Sequence, residues 1–255
     1  MRYAVPSDFR KRVLAGDVVT GCFANLGSPL TAEIMGLAGF DWVVIDLEHG
    51  AGDEVVALGQ LQALAATGTT GIVRVEGVNR PRFGRVLDKG AGGVLVPRVE
   101  STEEAALAAA YCRYSGERGV ARQIRAWQFG LSTRELSTAD DEVVCAVQIE
   151  TRSALECVTE IAAVEGVDVL FVGPTDLGHA LGITGGPVAR ELLEHAGKVA
   201  EAARASGKAA GVFVPTVEQA ARYRELGFTF LGCATDGGML ADAAQAVAAG
   251  LDGLR

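Results

Sequence analysis

Eight short runs of apolar, mainly β-branched residues recur along the chain, separated by alanine-rich stretches of helical character. The runs are Val18–Phe23, Trp42–Asp46, Gly71–Val75, Gly93–Val96, Val143–Ile149, Val169–Val172, Ala210–Val214 and Thr229–Gly232. Most lack apolar–polar alternation, the pattern of strands covered on both faces in a parallel sheet. Helix-start signals fall between them. Ser28-Pro29 puts proline at a first helical position. Ser101 with Glu104, Ser153 with Glu156, and Thr216 with Gln219 have capping-box spacing. Eight strands alternating with helices over 255 residues predict an α/β fold of the (β/α)8 TIM-barrel type. A doubly wound open sheet competes, but it usually carries a glycine fingerprint after its first strand. Gly21-Cys22-Phe23-Ala24-Asn25 is no such fingerprint. With no Pro/Ser-rich linker in view, residues 1–255 read as one barrel domain.

One connection is unusually long. After a capped helix, the stretch from Ser115 to Asp141 holds Arg118, Arg122, Arg125, Trp127 and Phe129. It is either an element of function or assembly, or an extra surface helix.

Charge limits the partners. The 23 Lys+Arg against 32 Asp+Glu give a net charge of −9, with no basic block. Such a chain is a poor nucleic-acid or anionic-membrane binder, and small molecules or a carboxylate-bound metal suit it better. The five cysteines are odd in number, widely spaced and never form CxxC. They read as buried thiols in a reducing cytoplasm. Residues 1–17 lack the apolar centre of a signal peptide, and no apolar run reaches the roughly 18 residues of a membrane span. A cytoplasmic protein is expected.

In this architecture the active site lies where the strands end. Polar residues gather there: Asp46-Leu47-Glu48-His49, Arg74, Pro97-Arg98, Gln148-Ile149-Glu150 and Gly173-Pro174-Thr175-Asp176. Glu150 and Asp176 leave neighbouring strands, so both could reach one hard divalent cation. They could equally be solvated rim acids or ion-pair partners, or an acid–base pair. His49 has the position of a general base, although a lone histidine is more often structural. Arg74 could bind a carboxylate or stabilise an oxyanion, or form a rim ion pair. None of the four lysines, Lys11, Lys89, Lys198 and Lys208, ends a strand. A Schiff-base mechanism therefore has no obvious nucleophile.

On these residues the chain resembles the class II, metal-dependent pyruvate aldolases of the 4-hydroxy-2-oxoheptanedioate and 2-dehydro-3-deoxyglucarate aldolase type. The stretches that carry the likeness are Gly39–Gly50 (GFDWVVIDLEHG), Arg74-Val75, Arg85–Ala91 (RVLDKGA), Val94–Pro97 (VLVP), Val147–Thr151 (VQIET) and Leu170–Leu177 (LFVGPTDL). The resemblance implies a carbon–carbon lyase that reversibly cleaves 4-hydroxy-2-oxo acids to pyruvate, or hydroxypyruvate, and an aldehyde through a metal-stabilised enolate. By the same resemblance, Glu150 and Asp176 would hold Mg²⁺, Mn²⁺ or Co²⁺, and no organic cofactor is needed. His49 would be the base, Asp88 would orient it, and Arg74 would stabilise the enolate oxygen. Gln148, Gly173, Pro174 and Thr175 would line the oxo-acid pocket. The family also implies a homo-hexamer, with the apolar last helix, Met239 to Leu251, packed on a neighbouring subunit. Ordinary packing of that helix on its own barrel is the alternative.

Arg98, the stretch Gly116–Arg122 and Thr175 depart from the family pattern, and the first two bear on the aldehyde pocket. A citryl- or malyl-coenzyme A lyase-like enzyme is a rival reading, but no basic or adenine-stacking stretch offers a coenzyme A site. A catalytically silent barrel that binds oxo acids is a second rival, which the intact Glu150, Asp176, His49 and Arg74 oppose.

Overall fold

The computed structural model describes residues 8–252, so the ends of the expected 1–255 domain lie outside the described residues. Eight parallel strands close into a barrel in chain order: β1 (Val19–Ala24), β2 (Trp42–Asp46), β3 (Thr70–Arg74), β4 (Gly93–Val96), β5 (Val144–Ile149), β6 (Val169–Val172), β7 (Ala209–Val214) and β8 (Phe230–Thr235). The helices are α1 (Phe9–Leu14), α2 (Pro29–Leu37), α3 (Glu54–Thr67), α4 (Arg80–Asp88), α5 (Thr102–Cys112), α6 (Leu136–Asp140), α7 (Arg152–Glu156), α8 (Val158–Ala163), α9 (Pro174–Leu181), α10 (Arg190–Ala205), α11 (Val217–Glu225) and α12 (Asp236–Asp252). The predicted (β/α)8 architecture is the observed one.

Two apolar layers hold the barrel. The inner one fills its lumen with Phe23, Trp42, Val44, Ile72, Leu95, Phe171 and Phe230. The α1 residues Phe9 and Val13 join this layer, and Phe9 meets Phe230 edge-on at 6.3 Å. Each such buried side chain contributes roughly 1.5–3 kcal/mol by leaving water. The outer layer, between strands and helices, is built from the opposite strand faces, which explains why the strands read as unbroken apolar runs. Trp42 stacks on Phe230 at 4.3 Å. It fits because its neighbour is glycine: a Cβ at Gly21 would come within 2.1 Å of the indole.

Most predicted helix starts hold. Ser101 accepts from the Glu104 amide at 3.2 Å, and Thr216 from the Gln219 amide at 3.3 Å. The Ser153 start does not hold. The helix begins at Arg152, capped by Thr151, whose hydroxyl accepts from the Ala154 amide at 3.2 Å. The long β4–β5 excursion is no single surface helix. It contains a kinked 3-10 segment, Arg125–Gly130, and then α6, with Trp127 fully buried beneath it.

The last helix stands apart. Among its described residues only Asp236 is buried. Asp236 ties the helix start to the barrel by accepting from the amides of Asn25 and Leu26 and from the Thr31 hydroxyl at 2.8 Å. Beyond it, Leu240, Val247 and Leu251 are exposed, as are Leu30, Ile34 and Leu37 on α2. No helix among the described residues is long and apolar enough to cross a membrane.

Candidate active site

The strand ends converge on one rim, and the sheet register decides which side chains meet. Asp46 and Arg74 close β2 and β3 as direct partners. Arg74 grips Asp46 with two hydrogen bonds, Nε to Oδ1 at 2.9 Å and Nη2 to Oδ2 at 2.7 Å. Its third nitrogen, Nη1, lies 3.0 Å from Glu48 Oε2, and the guanidinium sits over the Phe23 ring, 5.2 Å from its centroid. Burial alone would lower the Arg74 pKa, but Asp46, Glu48 and Glu150 together raise it. This arginine is therefore a fixed positive charge. Asp46 Oδ1 also accepts from the amides of Glu48 and His49, at 3.1 and 3.2 Å. One buried carboxylate thus sets both the arginine and the turn that carries His49.

His49 itself is largely exposed, with Nε2 3.8 Å from Glu48 Oε2. Burial raises the Glu48 pKa, and the negative charges of Asp46 and Asp176 add to that, against Arg74 and His49.

Glu150 follows β5 and is buried. Oε1 accepts from the Arg98 amide at 2.9 Å and Oε2 from Gln148 Nε2 at 2.6 Å. Its pKa is pushed up to about 7, chiefly by burial; Asp176 and Glu48 push the same way, while the Arg98 amide and Arg74 oppose them. To deliver that amide, Arg98 adopts a left-handed φ of 50°, which is uncommon for a non-glycine residue. Gly173, after β6, leaves room for the carboxylate, since a Cβ there would lie 2.4 Å from Glu150 Oε2. Pro174 opens α9, and exposed Thr175 and Asp176 occupy its first turn. Gln148 Oε1 is buried with no hydrogen-bond partner.

These residues fit a divalent cation. Among the described residues no three His, Cys, Asp or Glu side chains form a metal cluster, so the protein would supply two carboxylates, Glu150 and Asp176. A Mg²⁺-like ion is commonly held by one or two carboxylates, with water and substrate completing its shell. A carboxylate whose pKa is raised chiefly by burial, with the negative charges of Asp176 and Glu48 adding to it, is a group that a cation would relieve.

The structure therefore brings together His49, Arg74, Gln148, Glu150, Gly173, Pro174, Thr175 and Asp176 at one rim. It does not bring Asp88 to His49 within this chain. Asp88 ends α4, shortly before β4 begins, and so lies toward the opposite end of the barrel. There it accepts from Arg118 Nη2 at 3.4 Å. Sequence reasoning missed Asp46 as the partner of Arg74. The available signal was that both residues end neighbouring strands.

All four lysines lie away from this rim. Lys208 donates to the carbonyls of Val164 and Val167. Lys89 caps the end of α4, and Lys11 and Lys198 lie in α1 and α10.

Comparison with known proteins places the chain in a family. The family model described as "HpcH/HpaI aldolase/citrate lyase" matches residues 19–243. A 5-keto-4-deoxy-D-glucarate aldolase of Salmonella paratyphi C is 38% identical over 95% of this chain and 96% of that protein. Two solved structures are similar. An HpcH/HpaI aldolase/citrate lyase family protein from Burkholderia cenocepacia has a TM-score of 0.91 and 32% identity, over 96% of this chain and 99% of that one. An HpcH/HpaI aldolase from Desulfitobacterium hafniense has a TM-score of 0.87 and 29% identity, over 96% of each chain. With the family model and a near-full-length relative in agreement, the chain belongs to the HpcH/HpaI aldolase/citrate lyase family of carbon–carbon lyases.

Proposed function

We propose that this chain cleaves 4-hydroxy-2-oxo acids reversibly to pyruvate, or hydroxypyruvate, and an aldehyde. The observation that carries this reading is Arg74, immobilised by Asp46 and Glu48 beside the buried Glu150. Retro-aldol cleavage moves the electron pair of the C3–C4 bond toward the 2-oxo oxygen. A fixed guanidinium facing that oxygen stabilises the negative charge as it develops, without reorganising. Glu150 and Asp176 would hold a divalent cation, which supplies Lewis-acid polarisation when bound.

His49 in its neutral form accepts the proton of the 4-hydroxyl as the bond breaks. The same imidazole then returns a proton to C3, which becomes the methyl group of pyruvate. Its exposure suits a base that must meet substrates entering from solvent. Gln148, Gly173, Pro174 and Thr175 would shape the oxo-acid pocket, and the start of α9 offers amides to a carboxylate. No lysine at the rim competes as a Schiff-base nucleophile. One barrel domain over residues 1–255, working in the cytoplasm without an organic cofactor, completes the reading.

The relative's name makes 5-keto-4-deoxy-D-glucarate the first substrate to assay, with pyruvate as the product to detect. The decisive test is deuterium exchange at C3 of pyruvate in heavy water, with no aldehyde present. Exchange should stop on EDTA treatment and resume with Mg²⁺, Mn²⁺ or Co²⁺. It should fall about 10²–10⁴-fold in His49→Ala, the usual contribution of a positioned base. Undiminished exchange in that variant would remove His49 from the role, and a borohydride-trapped lysine adduct would overturn the mechanism.

A further inference from the structure

Of the β4–β5 connection only the start, with Arg98, belongs to the catalytic rim of this chain; the Ser115–Asp141 excursion lies away from it. It runs past the N-terminal ends of β3–β5, at the other end of the barrel, and with α3 and the end of α4 it encloses a cavity of about 200 Å³. The charged residues on the cavity wall are Arg118, Arg125, Arg134 and Glu142. Three cations against one carboxylate is an unusual local balance in a chain of net charge −9. Like charges in a part-enclosed space repel more strongly than on open surface, so such a wall favours an anion.

Two of the guanidinia, those of Arg118 and Arg134, stack on aromatic rings, and Arg125 donates to the carbonyls of Lys89 and Leu61. Arg118 is buried and lies over the Tyr114 ring, 4.3 Å from its centroid. The Tyr114 hydroxyl accepts from Trp127 Nε1 at 2.7 Å. Arg134 lies over Trp127 at 4.8 Å, pairs with Glu142 and donates to the Ala126 carbonyl at 2.8 Å. Stacking fixes a guanidinium without consuming its N–H groups. Two donors are left over: Nε of Arg118 and Nε of Arg134 are both buried without a hydrogen-bond partner. The contact of Arg118 with Asp88, at 3.4 Å, is long for a charge-assisted hydrogen bond. A buried donor without a partner is costly, and two on one cavity wall call for an acceptor. The same segment carries left-handed backbone at two non-glycine residues, Gln128 and Phe129, with φ of 51° and 56°. Such strain persists where the surroundings hold it, often at ligand sites.

We propose that this cavity binds a small, doubly charged oxyanion, with Arg118 and Arg134 as its anchors. Phosphate and a short dicarboxylate share the required chemistry, since a guanidinium fork matches the oxygens of either. The site stands at the end of the barrel away from this chain's own Glu150 and Asp176, and its assignment does not depend on the aldolase reading.

Calorimetric titration with inorganic phosphate and, separately, with malonate tests it. The protein carries Arg74→Met and is treated with EDTA, so that the catalytic rim offers neither guanidinium nor metal. Saturable binding of at least one anion is expected, and which of the two binds identifies the source. Arg118→Gln and Arg134→Gln should each weaken binding about tenfold or more, the scale of a lost charge-assisted hydrogen bond. Arg134 is partly exposed, so its variant decides the matter if Arg118→Gln fails to fold. Crystals soaked in selenate should show an anomalous peak between the two arginines. No saturable heat with either anion, unchanged affinity in Arg134→Gln, or a selenate peak at the catalytic rim alone overturns the proposal.

Discussion

Asp46 does two jobs with one carboxylate: it clamps Arg74 and accepts from the amide of His49. Asp46→Asn removes the charge and one of the two acceptors facing the guanidinium. We expect turnover to fall about 10²-fold, the cost of a small misplacement of a catalytic group, while near-native circular dichroism shows that the fold survives. Glu150 gives a pH prediction. Its pKa in the folded, EDTA-treated chain is about 7 against an ordinary 4.5, so the folded state binds its proton more tightly than the unfolded state does. The resulting stabilisation is complete below about pH 4.5 and is lost as pH rises through 7. Above that, the ionised carboxylate costs roughly 3 kcal/mol. Urea midpoints of the EDTA-treated protein should therefore drop between pH 5 and pH 8, and Glu150→Gln should flatten the drop. The rim residues were legible in the sequence because a strand's last residue has a known place in a barrel. Asp88 was not, because its position depends on how far α4 runs before β4, and nothing local to Arg85–Ala91 encodes a distance to His49.

The strands were read to within about three residues because burial on both faces leaves no polar position to blur the pattern. Strand β8 extends furthest beyond its predicted end, to Thr235, because its last residues are only partly buried and mix small and polar types. The α7 start was misplaced for a different reason. Thr151 and Ser153 are both good capping residues, and only the backbone turn after Glu150 selects the first. Thr151→Ala is accordingly expected to cost about 1 kcal/mol, and Ser153→Ala only a few tenths, in equilibrium denaturation. The Ser115–Asp141 excursion resisted reading because it has no period. Its order comes from Trp127 sandwiched between Arg122 and Arg134, contacts between residues that no pattern links.

At the scale of the molecule, two apolar surfaces lack a cover among the described residues. They are the flank of α12 with Leu240, Val247 and Leu251, and the flank of α2 with Leu30, Ile34 and Leu37. Clustered exposed apolar side chains mark an association site, and we propose that the last helix packs on a neighbour within the hexamer that the family resemblance implies. Light scattering at micromolar concentration should report an assembly near six times 26.4 kDa, and Leu240→Glu combined with Val247→Glu should split it. Assembly would also give Asp88 a route to a histidine, since only another copy could bring that carboxylate to the catalytic rim. Mixing His49→Ala with Asp88→Ala chains, each expected to be impaired, should after joint unfolding and refolding then restore part of the activity. Homogeneous mixtures of either variant should stay impaired.

The Asp236 anchor adds a further consequence. It fixes the start of α12 while the rest of the helix stays uncovered by the described residues, so that, in the assembly proposed above, completing the fold would be a reaction of second order. Stability would then follow the logarithm of protein concentration, and a kinetic assay at nanomolar enzyme and a melting curve at micromolar enzyme would sample different species. A bulky C-terminal fusion would then act like dilution.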